Sequence, residues 1–441
     1  MKFSKLCVFL SLTIILMACN EQGVISTPEI LATLTSSPQP SNTIQPTLTP
    51  IPIPTITLTP TPDTCSKQTI PADMLMPLLT GVNQEKLIAI STGTQDNERE
   101  VFIMGMDGKI IRDITNHPAD DIAPEWSPNG KRISFLSNRN GKITTWCNGA
   151  SDDCMYQLFS VKLDGTGLRQ ITKDWTFQYS WSPDGKQIVF LRAVKSDASP
   201  YPNDPFLYEI YAINSDGTNM RNLTNFPGFY GKPAWSPDGT KIVFDSGDIA
   251  TYPNSINVIS SDGTEFAIFS DLQAYEVTWT ADSGSLLFAS QPDSNLGNDI
   301  YKIKNDLSNL QKLTFSTDIR KEHLAVSPDG KWLAYHSFQS WDKCDQIRVV
   351  NIETGQDYFV YDAHDVEKAE LNPNRGTIPA SYIGLSIQSI QWMPNGNQLI
   401  FNQFVYFEGI FGEYEETYSI RLDGTELKVF GDRSGSYSFQ P

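Results

Sequence analysis

Basic residues are scarce and scattered in this chain. Lys and Arg number 33 against 51 Asp and Glu, for a formal net charge of −18 over 441 residues. No Lys/Arg block is present to neutralise a phosphate backbone, so nucleic acid is excluded as a partner. Motif absences narrow the field further. There is no G-x-S-x-G elbow, no GxxxxGK[ST] or GxGxxG opening a helix, no DxDxDG loop and no CxxC-like spacing. No catalytic residue is assigned on these grounds, no cofactor is expected, and the balance favours a protein that is not an enzyme. Long apolar runs are missing too. The longest, LCVFLSLTIILMA, ends at Ala18 and is too short to span a bilayer.

That short run follows two lysines in MKFSK, which is the pattern of a signal peptide. Leu16-Met17-Ala18-Cys19 resembles a bacterial lipobox, so residues 1–18 are expected to be removed and Cys19 to carry a lipid. Residues 19–65 hold TPTLTP- and TPTPD-like phrases without Lys or Arg after Cys19. Such a segment has little to bury and reads as an extended, unfolded tether. The expected setting is the outside of a bacterial membrane or envelope, reached through the lipid anchor alone. In that oxidising setting Cys147 and Cys154, which bracket CNGASDDC, are close enough to form a disulfide, while Cys65 and Cys344 either pair or stay free.

Residues 66–441 are dominated by one phrase, seen as AWSPDGTKIVF from Ala234 and in five close variants. Alternating apolar residues lead into Trp, then Ser-Pro-Asp-Gly, then a second alternating run. Pro presets φ, and Gly supplies the left-handed residue of a tight turn, so the phrase reads as strand, turn, strand. A second phrase follows each copy, as in LYEIYAINSDGTNMRNLT ending at Thr224. It adds a strand, an Asp-Gly turn and a shorter strand. Each unit is therefore four antiparallel strands, A to D.

The count of units decides the architecture. B strands are expected to begin near Lys86, Lys131, Lys186, Thr240, Gly284, Lys331 and Asn397, whereas only six A strands precede them. The seventh is found at the far end, where SGSYSFQP (434–441) places Phe439 in the Trp position. From Trp126 that position recurs at Trp181, Trp235, Trp279, Val326, Trp392 and Phe439. The expectation is an all-β, seven-bladed propeller of four-stranded antiparallel blades, closed by pairing of the N- and C-terminal strands; six blades is the alternative. Val326 in place of Trp suggests a looser contact at blade six.

WSPDGxxIxF followed by IYxxxxDGTxxxxLT resembles TolB-type, WD40-like repeats, and also the repeats in propeller domains of prolyl-oligopeptidase-type peptidases. The resemblance covers residues 82 to 441. It implies the fold; propellers host binding, scaffolding and catalysis alike.

The A–B and C–D turns are short and share one face, so the longer B–C and D–A connections share the other. The longest are expected over 137–155, 192–207, 361–388 and 402–416. Trp146, Trp175, Phe177, Tyr201, Phe229, Tyr230, Tyr252, Tyr275, Trp341, Tyr406 and Phe411 fall on or near that rim. They are candidates for gripping a peptide or stacking on sugars, or else for packing the loops together. Of four histidines, His323 and His336 flank one hairpin, EHLAVSPDGKWLAYHS, and should be neighbours. Paired there, they are either candidate metal ligands or hydrogen-bonded structural residues. The hairpin resembles the His-bearing hairpin of oligogalacturonate lyases, metal-using seven-bladed propellers, without a further His cluster on the adjacent blade. The expected function is a binding or protein-interaction module using the long-loop face, with an envelope protein or glycan as partner. The alternative is a carbohydrate-binding or metal-dependent lyase-like propeller centred near His323 and His336. A monomer is expected.

Overall fold

The computed structural model describes residues 67, 69–71, 86–93, 99–140, 156–195, 206–247, 255–269, 273–290, 298–315, 319–339, 345–363, 382–407, 413–430 and 436–440. The signal segment, Cys19 and the tether lie outside them, as do all the remaining cysteines. Among the described residues no helix is long and apolar enough to cross a membrane.

Seven antiparallel sheets account for the described strands, and each is one blade. The B strands begin at Leu87, Arg132, Gln187, Lys241, Ser285, Trp332 and Gln398, within one residue of the positions expected from the repeats. Blade one takes its A strand from the C-terminus: Ser436–Phe439 pairs with Leu87–Gly93 in the register Ile88↔Phe439 to Ser91↔Ser436. Seven hydrophobic clusters fill the seven junctions between neighbouring blades, including one that joins Ile88 and Ile90 of blade one to Met393, Ile400 and Phe430 of blade seven. The ring is closed.

The repeated phrase is turn chemistry. Gly130, Gly185, Gly239, Gly330 and Gly396 take φ between 66 and 73° and donate their N–H to the carbonyl three residues earlier at 2.8–2.9 Å. The Ser hydroxyl bonds the turn carboxylate, as Ser236 does to Asp238 at 2.6 Å, and the same carboxylate accepts the N–H of Thr240 at 2.9 Å. Those hydrogen bonds hold Asp238 below the usual carboxylate range. The acids of the phrase are thus consumed in their own hairpins.

Trp links the blades. The indole N–H of Trp126 donates to Ser438 O at 2.9 Å, Trp279 to Ala234 O at 3.1 Å and Trp392 to Ala325 O at 2.8 Å. Each acceptor is the residue just before the Trp position of the preceding blade. Trp181 uses the Ser134 hydroxyl instead, and the indole nitrogen of Trp235 has no partner among the described residues. Trp392→Phe should therefore cost about 1–3 kcal/mol by leaving a buried carbonyl unpaired. Trp235→Phe should cost less. Denaturant melts of the two variants compare them; equal losses would show that the indole bond adds nothing to packing.

Two expectations are corrected. The junction at Val326 is not loose, because Leu333, Tyr335 and Val350 fill it and Leu324 and Val326 pack on them. Polar ties add to it: Lys321 Nζ lies 3.0 Å from Asp299 Oδ1 and 2.8 Å from Asn298 O. Second, parts of the expected long connections are strand. Blade three's B and C strands run over Gln187–Lys195 and Phe206–Asn214. Blade seven's A, B and C strands run over Tyr382–Trp392, Gln398–Phe407 and Glu413–Arg421. Alternating β-branched and aromatic residues such as QFVYF continue the ladder past the point where the turn-based reading ends it.

Before entering blade one the chain touches blade six. Thr69 forms a parallel bridge with Phe359 in strand D, Asp357–Asp362, and Ile70 is buried in the cluster between blades six and seven. Lys67 adds an ion pair to Asp362 at 3.4 Å.

Candidate functional site

The aromatic rim is partly described. Trp146, Tyr201, Tyr252, Trp341 and Phe411 lie outside the described residues. Trp175, Phe177, Phe229, Tyr230 and Tyr275 are all half-buried. The Phe177 ring packs on Tyr208 at 5.6 Å. Tyr230 sits edge-on to Phe244 at 5.3 Å and donates its hydroxyl to Phe226 O at 3.0 Å. Burial raises the Tyr275 hydroxyl well above its ordinary range. The rings of Phe177 and Tyr230 are thus engaged in packing connections onto blades. Tyr406 lies in the extended B strand of blade seven, paired with Gly384 and Glu413.

The inner strands carry a different feature. In blades two, three, five, six and seven strand A slips by one residue against strand B, a β-bulge a few residues before the Trp position. In blade four the strand is broken at the same place into Phe229–Tyr230 and Ala234–Trp235, around Gly231-Lys232-Pro233, where proline offers no N–H to the ladder. At the bulge Ala123, Glu276 and His323 take φ of 50, 53 and 59°. Bulges re-aim side chains. Lys232 Nζ of blade four reaches Glu125 Oε1 of blade two at 2.7 Å, bypassing blade three, which places these side chains on the central channel.

Blade six loads its bulge with titratable groups. Counting from Val326↔Leu333 and Ala325↔Ala334, an unbroken ladder would set His323 opposite His336; the bulge sets Glu322 there instead. The two imidazoles remain neighbours, as expected, with ring centroids 5.8 Å apart and planes within 7°. His336 is buried, with Nδ1 3.2 Å from Glu322 Oε1 and Nε2 2.7 Å from Asp345 Oδ1. His323 Nε2 stands 3.9 Å from the same Glu322 oxygen.

The electrostatics follow from this clamp. Burial alone would lower the His336 pKa, but the charge and hydrogen bonds of Asp345 and Glu322 raise it to about 10. Glu322 moves the other way, to about 2, because the His336 hydrogen bond and charge outweigh burial. Burial lowers His323 to about 4. From blade five, Glu276 accepts the backbone N–H of Leu324 at 3.2 Å and is raised to about 7 by burial and by Glu322. Residues 322, 345 and 276 carry no sequence signal of their own. Only the bulge register brings the first two onto His336, and a local surplus of acid beside two histidines is the one hint available in the chain.

On the opposite, turn-bearing face a groove between blades three and four is lined by Pro183, Asp184, Trp235 and Asp238. Its acids are already hydrogen-bonded within their own turns.

No family model matches the chain. An uncharacterised protein of Agrobacterium fabrum is 27% identical over 34% of this chain and 48% of its own length. A TolB homologue of Chlorobium luteolum is 29% identical over 39% of this chain and 34% of its own length. The chain thus spans between about a third and about half of these curated relatives. Among solved structures, an oligogalacturonate lyase in complex with manganese superposes with a TM-score of 0.52, at 11% identity over 78% of this chain and 84% of that one. That is a likeness of fold alone. Sheet order, ring closure and repeat sequence agree: the chain is a seven-bladed β-propeller with TolB-like repeats.

Proposed function

We propose that the chain is an exported binding module, lipid-anchored through Cys19, that holds an envelope protein on the face bearing the B–C and D–A connections. The observation that supports this reading is the shape of blade seven. Its A, B and C strands are 11, 10 and 9 residues long, against 6 for each of their counterparts in blade two. With Trp392↔Leu399 in the same register as Trp126↔Ile133, the excess lies on the B–C side. Against the seven-residue B and C strands of neighbouring blade six, the three and two extra residues extend this ladder by about 7–10 Å. Its sequence, NQFVYFEGIFGEYEE over 402–416, is aromatic and acidic. Strands already hydrogen-bonded into a sheet need little further ordering on binding, which favours recognition of a partner. The half-buried rings of Trp175, Phe229 and Tyr275 border the same face.

A photo-crosslinking residue at Tyr406 tests the reading in cells expressing the full chain. The expected result is one dominant protein adduct at Tyr406 and none at exposed Lys131, which is on the turn-bearing face. Equal adducts at both positions, or none at Tyr406, would refute it. Deleting residues 405–414 should abolish the adduct from a probe at Trp175 while leaving the melting temperature nearly unchanged, because the ladder from Gln398↔Arg421 to Phe404↔Glu415 is kept.

A further inference from the structure

We propose that Glu322, His323 and His336 form a binding site for one divalent first-row transition-metal ion on the central channel, with Asp345 holding His336 from behind. One donor atom from each of the three residues lies within 4.8 Å of the others. Two of the spans are tighter, at 3.2 Å from His336 Nδ1 to Glu322 Oε1 and 3.9 Å from His323 Nε2 to the same oxygen. Metal–ligand bonds of about 2.0–2.2 Å set neighbouring donors about 3–3.5 Å apart, so the His336–Glu322 span already fits and a side-chain movement of about an ångström by His323 completes the set. His323 is too far from Glu322 to hydrogen-bond to it, yet at the right span to share an ion with it.

The surroundings point the same way. Histidine ligands characteristically give their second ring nitrogen to a carboxylate, which fixes the tautomer and the ring. Asp345, fully buried, does this to His336 Nε2 at 2.7 Å and leaves Nδ1 toward Glu322 and His323. Three carboxylates, Glu322, Asp345 and Glu276, are gathered around the two imidazoles and the bulge that carries them. Two imidazoles and one carboxylate suit zinc, manganese, iron or nickel better than magnesium or calcium. Three protein ligands leave further positions open toward the channel, for water or an oxygen donor of a bound molecule. The bulge itself is common to several blades. What distinguishes blade six is that its left-handed residue is a histidine and the residue before it a glutamate.

The test uses the full chain, stripped with a chelator and titrated calorimetrically with Zn²⁺, Mn²⁺ and Mg²⁺. One-to-one binding of Zn²⁺ or Mn²⁺ is expected, with Mg²⁺ at least about tenfold weaker. His323→Asn suits the comparison, because Asn accepts the left-handed backbone and removes the imidazole. It should weaken binding at least about tenfold while the metal-free protein melts as before. Nitrogen couplings in the Mn²⁺ electron-spin-echo spectrum should fall from two imidazoles to one. Asp345→Asn should keep both couplings yet weaken affinity about tenfold, which marks a positioning role and gives a second reading if His323→Asn folds poorly. Absence of Zn²⁺ and Mn²⁺ binding, or an affinity untouched by both substitutions, overturns the proposal. Its outcome is independent of whether the blade-seven hairpin holds a protein.

Discussion

Deleting residues 434–441 is expected to destabilise the propeller by about 5 kcal/mol, the largest effect of any small change considered. The segment is eight residues at the end of the chain, yet three kinds of interaction depend on it. Its ladder with Leu87–Gly93 supplies the inner strand of blade one. Phe439 packs into the cluster that joins blades seven and one. Ser438 O accepts the indole N–H of Trp126 at 2.9 Å, and Gln440 closes the strand end on Leu87 through bonds of 2.9 and 3.1 Å. Without them blade one keeps three strands, an open edge faces the channel and the Trp126 indole loses its acceptor. Calorimetric melting of the truncated and intact chains measures the loss. An unchanged melting temperature would mean that closure adds nothing to stability and that blade one is self-sufficient. Phe439→Ala alone should lose about 2 kcal/mol, since the ladder survives.

Glu100 should make the protein less stable as pH rises from about 5 to 7, and Glu100→Gln should remove that contribution. Glu100 is buried in blade one, where it accepts the N–H of His117 at 2.7 Å and the hydroxyl of Thr115. Burial raises its pKa from 4.5 to about 7; the two hydrogen bonds oppose the rise, and the charges of Asp121 and Asp113 add to it. Between those values the folded protein holds a proton that the unfolded chain releases, so each pH unit upward favours unfolding. Over the interval, with solvent screening discounted, this amounts to about 1–2 kcal/mol, complete once pH passes about 7. Asp245, raised to about 6 by burial, contributes in the same direction over a lower interval. Melts of wild type and Glu100→Gln should coincide near pH 5 and separate at pH 8, with the variant higher. A variant that melts lower than wild type at pH 8 would mean that ionised Glu100 is stabilising, the reverse of what its burial implies.

The ring was legible in the chain because its determinants are local. Pro and Gly at fixed turn positions, alternation on either side of them and one large ring per blade each act within a dozen residues. Phe439 shows how far that reading extends: without a strand partner nearby in sequence, its place in the repeat alone assigned it to blade one. The blade-six cluster was legible only in half. Two histidines flanking one turn are visible as neighbours, but whether Glu322 or His323 faces His336 depends on a one-residue slip. Residue types do not encode that slip, since Ala123, Glu276 and His323 occupy the same left-handed position. Asp345 was invisible for a different reason. It comes from strand C, beyond a connection whose length says nothing about register. Blade seven hid its long strands behind aromatic sequence that reads equally well as loop or ladder, until cross-strand pairing decides it.

The contact between the N-terminal segment and blade six has a mechanical consequence. A pull transmitted along the chain toward Leu87 meets Lys67, Thr69 and Ile70 first, and these are fastened to the outer strand of blade six by an ion pair, a backbone bridge and a buried side chain. Blade six is two blades away from the seam where Ser436–Phe439 meets Leu87–Gly93. Load from the N-terminal side therefore enters the ring at blade six, away from the seam. Blade six, braced on both sides, bears the strain, and the seam is spared.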